Sequence, residues 1–103
     1  MISNFVRMLQ RATESIPDDA VIKQAVLCPD GLYAAVLCPN LDTAIEMNID
    51  FGTRRPKETH PYCIIHLSPS YNGTPFWHVV RQTDNIQNLN AVWEFYMDDE
   101  RFA

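Results

Sequence analysis

Glycine is scarce in this chain: only three of its 103 residues are Gly. A glycine-rich turn that cradles phosphate groups between a strand and a helix is therefore not available. Cysteine is also rare, and its odd count of three fits free thiols in a reducing compartment better than a disulfide framework. None of the spacings CxxC, HExxH or DxDxDG occurs, which removes the common zinc, redox and EF-hand motifs. Basic residues number 8 against 13 acidic ones, for a net charge of −5. That balance argues against nucleic-acid binding, since affinity for phosphates rests on clustered Lys and Arg releasing counterions. No apolar run approaches the ~18 residues of a membrane helix. The amino terminus, Met1 to Ile16, is interrupted by Arg7, Gln10, Arg11 and Glu14 and lacks a signal-peptide layout. A cytoplasmic protein with no membrane and no nucleic-acid partner is expected.

What is present describes an ordinary globular chain, 47% hydrophobic and 20% charged, of the size of one domain spanning 1–103. Asn4 to Ile16 has the spacing of an amphipathic helix, with Phe5, Leu9, Ala12 and Ile16 on one stripe, Ser3 as a cap and Pro17 as its end.

The pentapeptide AVLCP then occurs twice, at 25–29 and 35–39. Between the copies, Cys28-Pro29-Asp30-Gly31-Leu32 has the composition of a reverse turn, with Pro presetting φ and Gly supplying a left-handed residue. A hairpin with Leu27 opposite Tyr33 follows, which sets Ala25 opposite Ala35 and Cys28 at the turn. Cys38 lies at the far end, roughly 20 Å away at ~3.3 Å per residue, too distant for a disulfide or a shared zinc ion. Both faces of this hairpin are apolar, so its strands are expected to be covered on both sides, with a second copy of the chain as one cover.

Ile45, Met47, Ile49 and Phe51 alternate with Glu46, Asn48 and Asp50, the pattern of a half-exposed strand. Tyr62 to Leu67 and Phe76 to Arg81 read as two more strands, joined by a hairpin at Asn72-Gly73. A last helix begins near Asp84 or Asn85 and carries Ile86, Leu89, Val92, Trp93, Tyr96 and Met97 at helical spacing. The expected fold is α+β, in the order helix, five strands, helix. Its sheet would be antiparallel, with the terminal helices packed on one face. The opening helix and the hairpin around Asp30-Gly31 resemble the start of roadblock and profilin-like domains, over about a third of the chain. The Ile45 to Phe51 alternation stands where the roadblock pattern has its long helix, and no residue role or activity follows from the likeness.

Chemistry-bearing residues are few. His60, Cys63, His66 and His78 are the types that ligate zinc or pair a base with a nucleophile. Cys63 and His66, three apart in a strand, fall on opposite faces, however. A two-residue Asn72-Gly73 turn pairs residues summing to 145 and separates His66 from His78, whereas a slip by one sets them directly opposite. No catalytic residue, metal ligand or cofactor is assigned. Arg54, Arg55 and Lys57 form the one basic cluster, and Asp98, Asp99 and Glu100 an acidic chain end; both are candidates for protein contact. The functional expectation is a small acidic non-enzymatic protein-interaction domain, such as an inhibitor, immunity protein or adaptor, homodimeric and with a partner of basic character. The alternative is a small-molecule site or modest enzyme built from His66, His78, Trp77, Trp93 and Tyr62.

Overall fold

The computed structural model describes Arg7, Gln10, residues 13–67 and residues 76–98. Most of the expected first helix, with Ser3, Phe5, Leu9, Ala12 and Arg11, lies outside the described residues, as do the Asn72-Gly73 turn and the acidic residues Asp99 and Glu100. Arg7, Gln10, Thr13 and Glu14 have helical backbone, which has ended before Pro17.

Five strands form one sheet: β1 (Val21–Cys28), β2 (Gly31–Leu37), β3 (Ile49–Asp50), β4 (Tyr62–Leu67) and β5 (Trp77–Thr83). Among the described residues two complete α-helices accompany them, α1 (Leu41–Glu46) and α2 (Ile86–Tyr96), with a short 3-10 turn at Asp18–Ala20. The spatial order is β1-β2-β4-β5-β3. The fold is α+β with the expected number of strands, but the sheet is mixed rather than antiparallel: β3 runs parallel to β5, pairing Ile49 with Trp77 and Asp50 with His78.

The mixed sheet follows from a local contest in the Ile45 to Phe51 segment. Asn40 caps a helix there: its side chain accepts a hydrogen bond from the Thr43 backbone N–H at 2.9 Å, satisfying a donor the helix leaves orphaned. Helical spacing then turns Ala44 inward and leaves Ile45 outside, and Asn48 stops the helix with a left-handed φ of 60°, a conformation Asn tolerates better than most residues. Only Ile49 and Asp50 remain as strand. The expected half-exposed strand is thus replaced by a helix and a two-residue strand, because capping and termination at both ends outweigh the alternation between them. The segment becomes a helical crossover, the connection that parallel strands require.

The β1–β2 hairpin turns at Pro29-Asp30, with Cys28 paired to Gly31 and Leu27 to Leu32. This is one residue tighter than the Leu27–Tyr33 pairing expected from a longer turn. Two register irregularities in β1 follow: the one between Lys23 and Val26 sets Lys23, not Ala25, opposite Ala35, and the next sets Val21 opposite Val36. In β4–β5 both expected registers occur. Tyr62–Thr83, Cys63–Gln82 and Ile64–Arg81 sum to 145, and after an irregularity Ile65–Val79 and His66–His78 are shifted by one.

The sheet is covered on both sides. Leu32, Ala34 and Val36 of β2, with Cys63, Ile65 and Leu67 of β4 and Trp77 of β5, pack against Ile16, Ala44 and Met47. On the other face Tyr33, Ala35 and Ile64 pack against Leu89, Val92, Trp93 and Tyr96 of α2. Ile16, just past the first helical segment, and the last helix therefore cover opposite faces; the rest of the apolar stripe of the expected first helix lies outside the described residues, so the face it covers is not described. Asn85 caps α2 by accepting from the Asn88 N–H at 2.8 Å. Asn88 Nδ2 donates to Asp84 Oδ1, and this bond chiefly holds the Asp84 carboxyl below its ordinary range.

The tightest constraint sits at Gly31, whose φ is +135°. A Cβ there would run into the Leu67 carbonyl oxygen and come within 2.7 Å of His66 Nε2. Gly31→Ala is expected to cost about 2–4 kcal/mol, since backbone strain and forced displacement add. Gly52, with φ +60° and open space around it, should lose only about 1–2 kcal/mol on the same change. Urea unfolding of the two variants checks this order, and equal losses would mean that the Leu67 approach does not constrain the turn.

Candidate functional site

Two places bring the chemistry-bearing residues together. The first is a row across the sheet. Register sets Tyr33 of β2 opposite His66 of β4, His66 opposite His78 of β5, and His78 opposite Asp50 of β3. All four point to the α2 side, because directly opposed residues share a face. Turn chemistry at Asn72-Gly73 favours the register that separates the two histidines; that expectation fails here, because the irregularity after Ile64 sets them opposite each other.

Each side chain in the row has a partner within the fold. The Tyr33 hydroxyl donates to Asp30 Oδ2 at 2.7 Å, and its ring stacks on His66 with centroids 4.4 Å apart. His66 Nε2 lies 2.9 Å from the Asp30 carbonyl oxygen; a carbonyl only accepts, so the proton sits on Nε2. Asp50 Oδ1 accepts the Gly52 N–H at 2.8 Å, while its Oδ2 lies 3.7 Å from His78 Nδ1. Both side chains of that last pair are substantially exposed, so it adds little to stability. The row ties the β1–β2 turn to β4 and the short β3 to β5. It is an anchoring arrangement whose hydrogen bonds are directed inward, and among the described residues no group of three or more His, Cys, Asp or Glu is placed to hold a metal ion.

The other residues of the small-molecule alternative are not gathered around this row. Trp77 is fully buried on the opposite face, against Met47 and Ile16. Tyr62 lies four residues from His66 along β4, roughly 13 Å at ~3.3 Å per residue. Trp93 packs with Tyr62 and Ile64 under α2. Cys63 faces away from His66, into the cluster that holds Cys38.

Cys28, Cys38 and Cys63 are all free and buried. Cys28 belongs to the α2-side cluster and Cys38 to the other, so the repeated AVLCP segments do not build one site. Burial pushes the Cys38 thiol up to about 11, against a smaller downward pull from the Asn40 backbone. Burial pushes Cys63 up to about 12, with Cys38 nearby adding to the rise. Thiols so shifted are protonated at neutral pH and are poor nucleophiles.

The second place is a groove beside α1. Leu41 and Ile45 stand one helical turn apart on its outer face and are 62% and 67% exposed. With Ala44, Ile49, Phe51 and Pro56 they form the apolar lining of a groove of about 510 Å³, completed by Asp50, Gly52, Arg54 and Arg55. A second hollow, of about 360 Å³, shares Ala44, Ile45, Ile49 and Asp50 and ends at Phe76, itself 38% exposed. The loop carrying the arginines is held in place. Arg54 N–H donates to the Phe51 carbonyl at 2.9 Å, and Gln82 Nε2 donates to the Arg55 carbonyl at 2.7 Å. Of the basic cluster, Arg54 and Arg55 line this groove and Lys57 does not. Asp98 is exposed just past α2, and its acidic neighbours lie outside the described residues. Sequence reasoning identified the arginines but missed Leu41 and Ile45; the available signal was Asn40 three residues before Thr43, an N-cap spacing.

The thiol chemistry is directly testable. Ellman's reagent at neutral pH should leave Cys38 and Cys63 unreacted in the folded chain and label them once it is unfolded; prompt labelling of either in the folded chain would refute the assignment. Because both folded thiols hold their protons above the ordinary value of 9.0, folding stability should not depend on them below about pH 9. It should then fall as pH rises above about 9, where the unfolded chain releases these protons and the folded one holds them, and level off above about 11 for Cys38 and about 12 for Cys63. Cys63→Val should flatten that alkaline loss.

No family model, curated protein or solved structure matches the chain, and the resemblance of its opening segment to roadblock and profilin-like domains gains no support from these comparisons.

Proposed function

We propose that this chain is a protein-interaction domain of the adaptor or inhibitor kind, which contacts its partner through the α1 groove. One observation carries the reading: Leu41 and Ile45, a full helical turn of large apolar side chains, face outward beside Phe76 while the smaller Ala44 of the same helix is buried. Contiguous apolar surface framed by charged residues is characteristic of contact sites. Scattered exposed apolar residues are ordinary, but a clustered pair lining a groove is a different observation. The burial of Trp77 on the face opposite the histidine row and the packing of Tyr62 and Trp93 against the core under α2 favour this reading over a small-molecule site.

A second copy as the partner has a place of its own, the β1 edge of the sheet, where Val26 and Leu27 are exposed. The hairpin expected to be covered on both faces is so only in part: β2 is buried within the chain from Gly31 to Val36, whereas β1 is an edge strand exposed from Gln24 to Leu27. The two irregularities in β1 and Lys23 beside them are devices that blunt edge pairing. The groove is accordingly the favoured contact.

Ile45→Glu tests the proposal, because the side chain is mostly in solvent and the change should shift folding stability by no more than about 0.5 kcal/mol. Affinity-tagged wild-type chain expressed in its native cells should retain a stoichiometric partner that the Ile45→Glu variant loses. A matched charge insertion at the β1 edge, Leu27→Glu, should keep it. Loss with Leu27→Glu and retention with Ile45→Glu would move the contact to the sheet edge, and no stoichiometric partner at all would count against an interaction domain.

A further inference from the structure

The groove beside α1 combines an apolar floor with cationic groups that nothing in the described fold neutralises. Arg54 and Arg55 line it, and neither guanidinium forms an ion pair among the described residues. No Lys or Arg among the described residues forms an ion pair; what sets these two apart is that they border an apolar groove. Asp50, the acid in the groove's lining, accepts the Gly52 N–H and faces His78. Asp42 and Glu46 belong to α1 but are not among the groove's lining residues. The backbone bonds to Phe51 and Gln82 fix where the two arginines begin, so little loop ordering is required when a ligand arrives.

From this combination we infer that the groove takes an acidic amphipathic segment of a partner protein, its apolar side chains covering Leu41 and Ile45 and its carboxylates meeting Arg54 and Arg55. The inference rests on the interaction reading above and specifies the partner's chemistry. Arginine suits the task because its planar fork accepts a carboxylate through two parallel hydrogen bonds and sheds its hydration more readily than lysine. The net charge of −5 does not oppose it. Charges beyond about 8 Å are largely screened at physiological ionic strength, so the arginines dominate at contact distance.

Three synthetic peptides of one length and one apolar pattern, with Glu, Gln or Lys at every polar position, provide the test by NMR titration of the isotopically labelled full chain. The Glu peptide should bind saturably, with shifts concentrated at Leu41, Ile45, Arg54 and Arg55, and at least about tenfold more tightly than the Lys peptide. Raising salt from about 50 mM to about 500 mM should weaken it several-fold. The double variant Arg54→Glu/Arg55→Glu, folded by circular dichroism, should reverse the peptide preference, and Ile45→Glu should weaken all three. Equal binding of the Glu and Lys peptides, binding mapped elsewhere, or no saturation at millimolar peptide would overturn the inference. Loss of the cellular partner in Ile45→Glu together with any of those results would keep the interaction reading and reject only the acidic segment.

Discussion

The structure depends on the need to cover both faces of its two central strands. β2 is buried from Gly31 to Val36, and in β4 Cys63, Ile64, Ile65 and Leu67 are buried irrespective of side. At about 25 cal/mol per Å² of apolar surface, leaving either face in water would forfeit several kcal/mol, a large part of a small domain's margin. The chain must therefore place material on each side of the sheet. The last helix serves one face, and the end of the first segment with α1 serves the other.

That division of labour sets the topology. After β2 the chain crosses the open face and comes down beyond β5, where Ile49 and Asp50 add a short parallel edge. The crossover also fixes what α1 can do. A helix of six residues has a single inward turn, occupied by Ala44 with Met47 just after it. Its remaining large apolar residues, Leu41 and Ile45, have no inward place to go. The same covering requirement that closes the core thus leaves an apolar strip in solvent beside Arg54 and Arg55, which is why the groove follows from the architecture.

Much of this was legible in the chain. The turn at Pro29 to Gly31, the buried β2, the strands at Tyr62 to Leu67 and after Phe76, and the capped final helix all follow from residue types whose local preference agrees with their tertiary place, whereas the equally apolar β1 lies exposed at the sheet edge. The failures occur where local and periodic signals compete. Ile45, Met47, Ile49 and Phe51 alternate like a strand, yet the Asn40 cap and the left-handed Asn48 decide the geometry. Pairing registers are lost for a different reason: an irregularity such as the one after Ile64 leaves no signature in composition. The histidine row depends on that irregularity, and its Tyr33 and Asp30 members are recognisable only once β2 lies beside β4. Arg54 and Arg55 could be singled out from charge alone, whereas their apolar neighbours could not, because their exposure depends on a helix that the alternation conceals.

The histidine row and the groove share a residue, Asp50, and the comparison between them explains why one anchors while the other stays available for contact. In the row, geometry consumes hydrogen-bonding capacity: Asp30 offers its carboxylate to Tyr33 and its carbonyl to His66, and Gly31 admits that approach because it has no side chain. Asp50 is committed to Gly52 on one oxygen and turned to His78 with the other. A site meant to recognise a ligand keeps donors directed outward, since satisfied groups have little to gain from a newcomer. Arg54 and Arg55, exposed on their loop and outside any ion pair among the described residues, meet that condition. Asp50 anchors β3 through Gly52 and His78 and also borders the arginines in the groove's lining, so the edge strand that closes the sheet is also one wall of the groove.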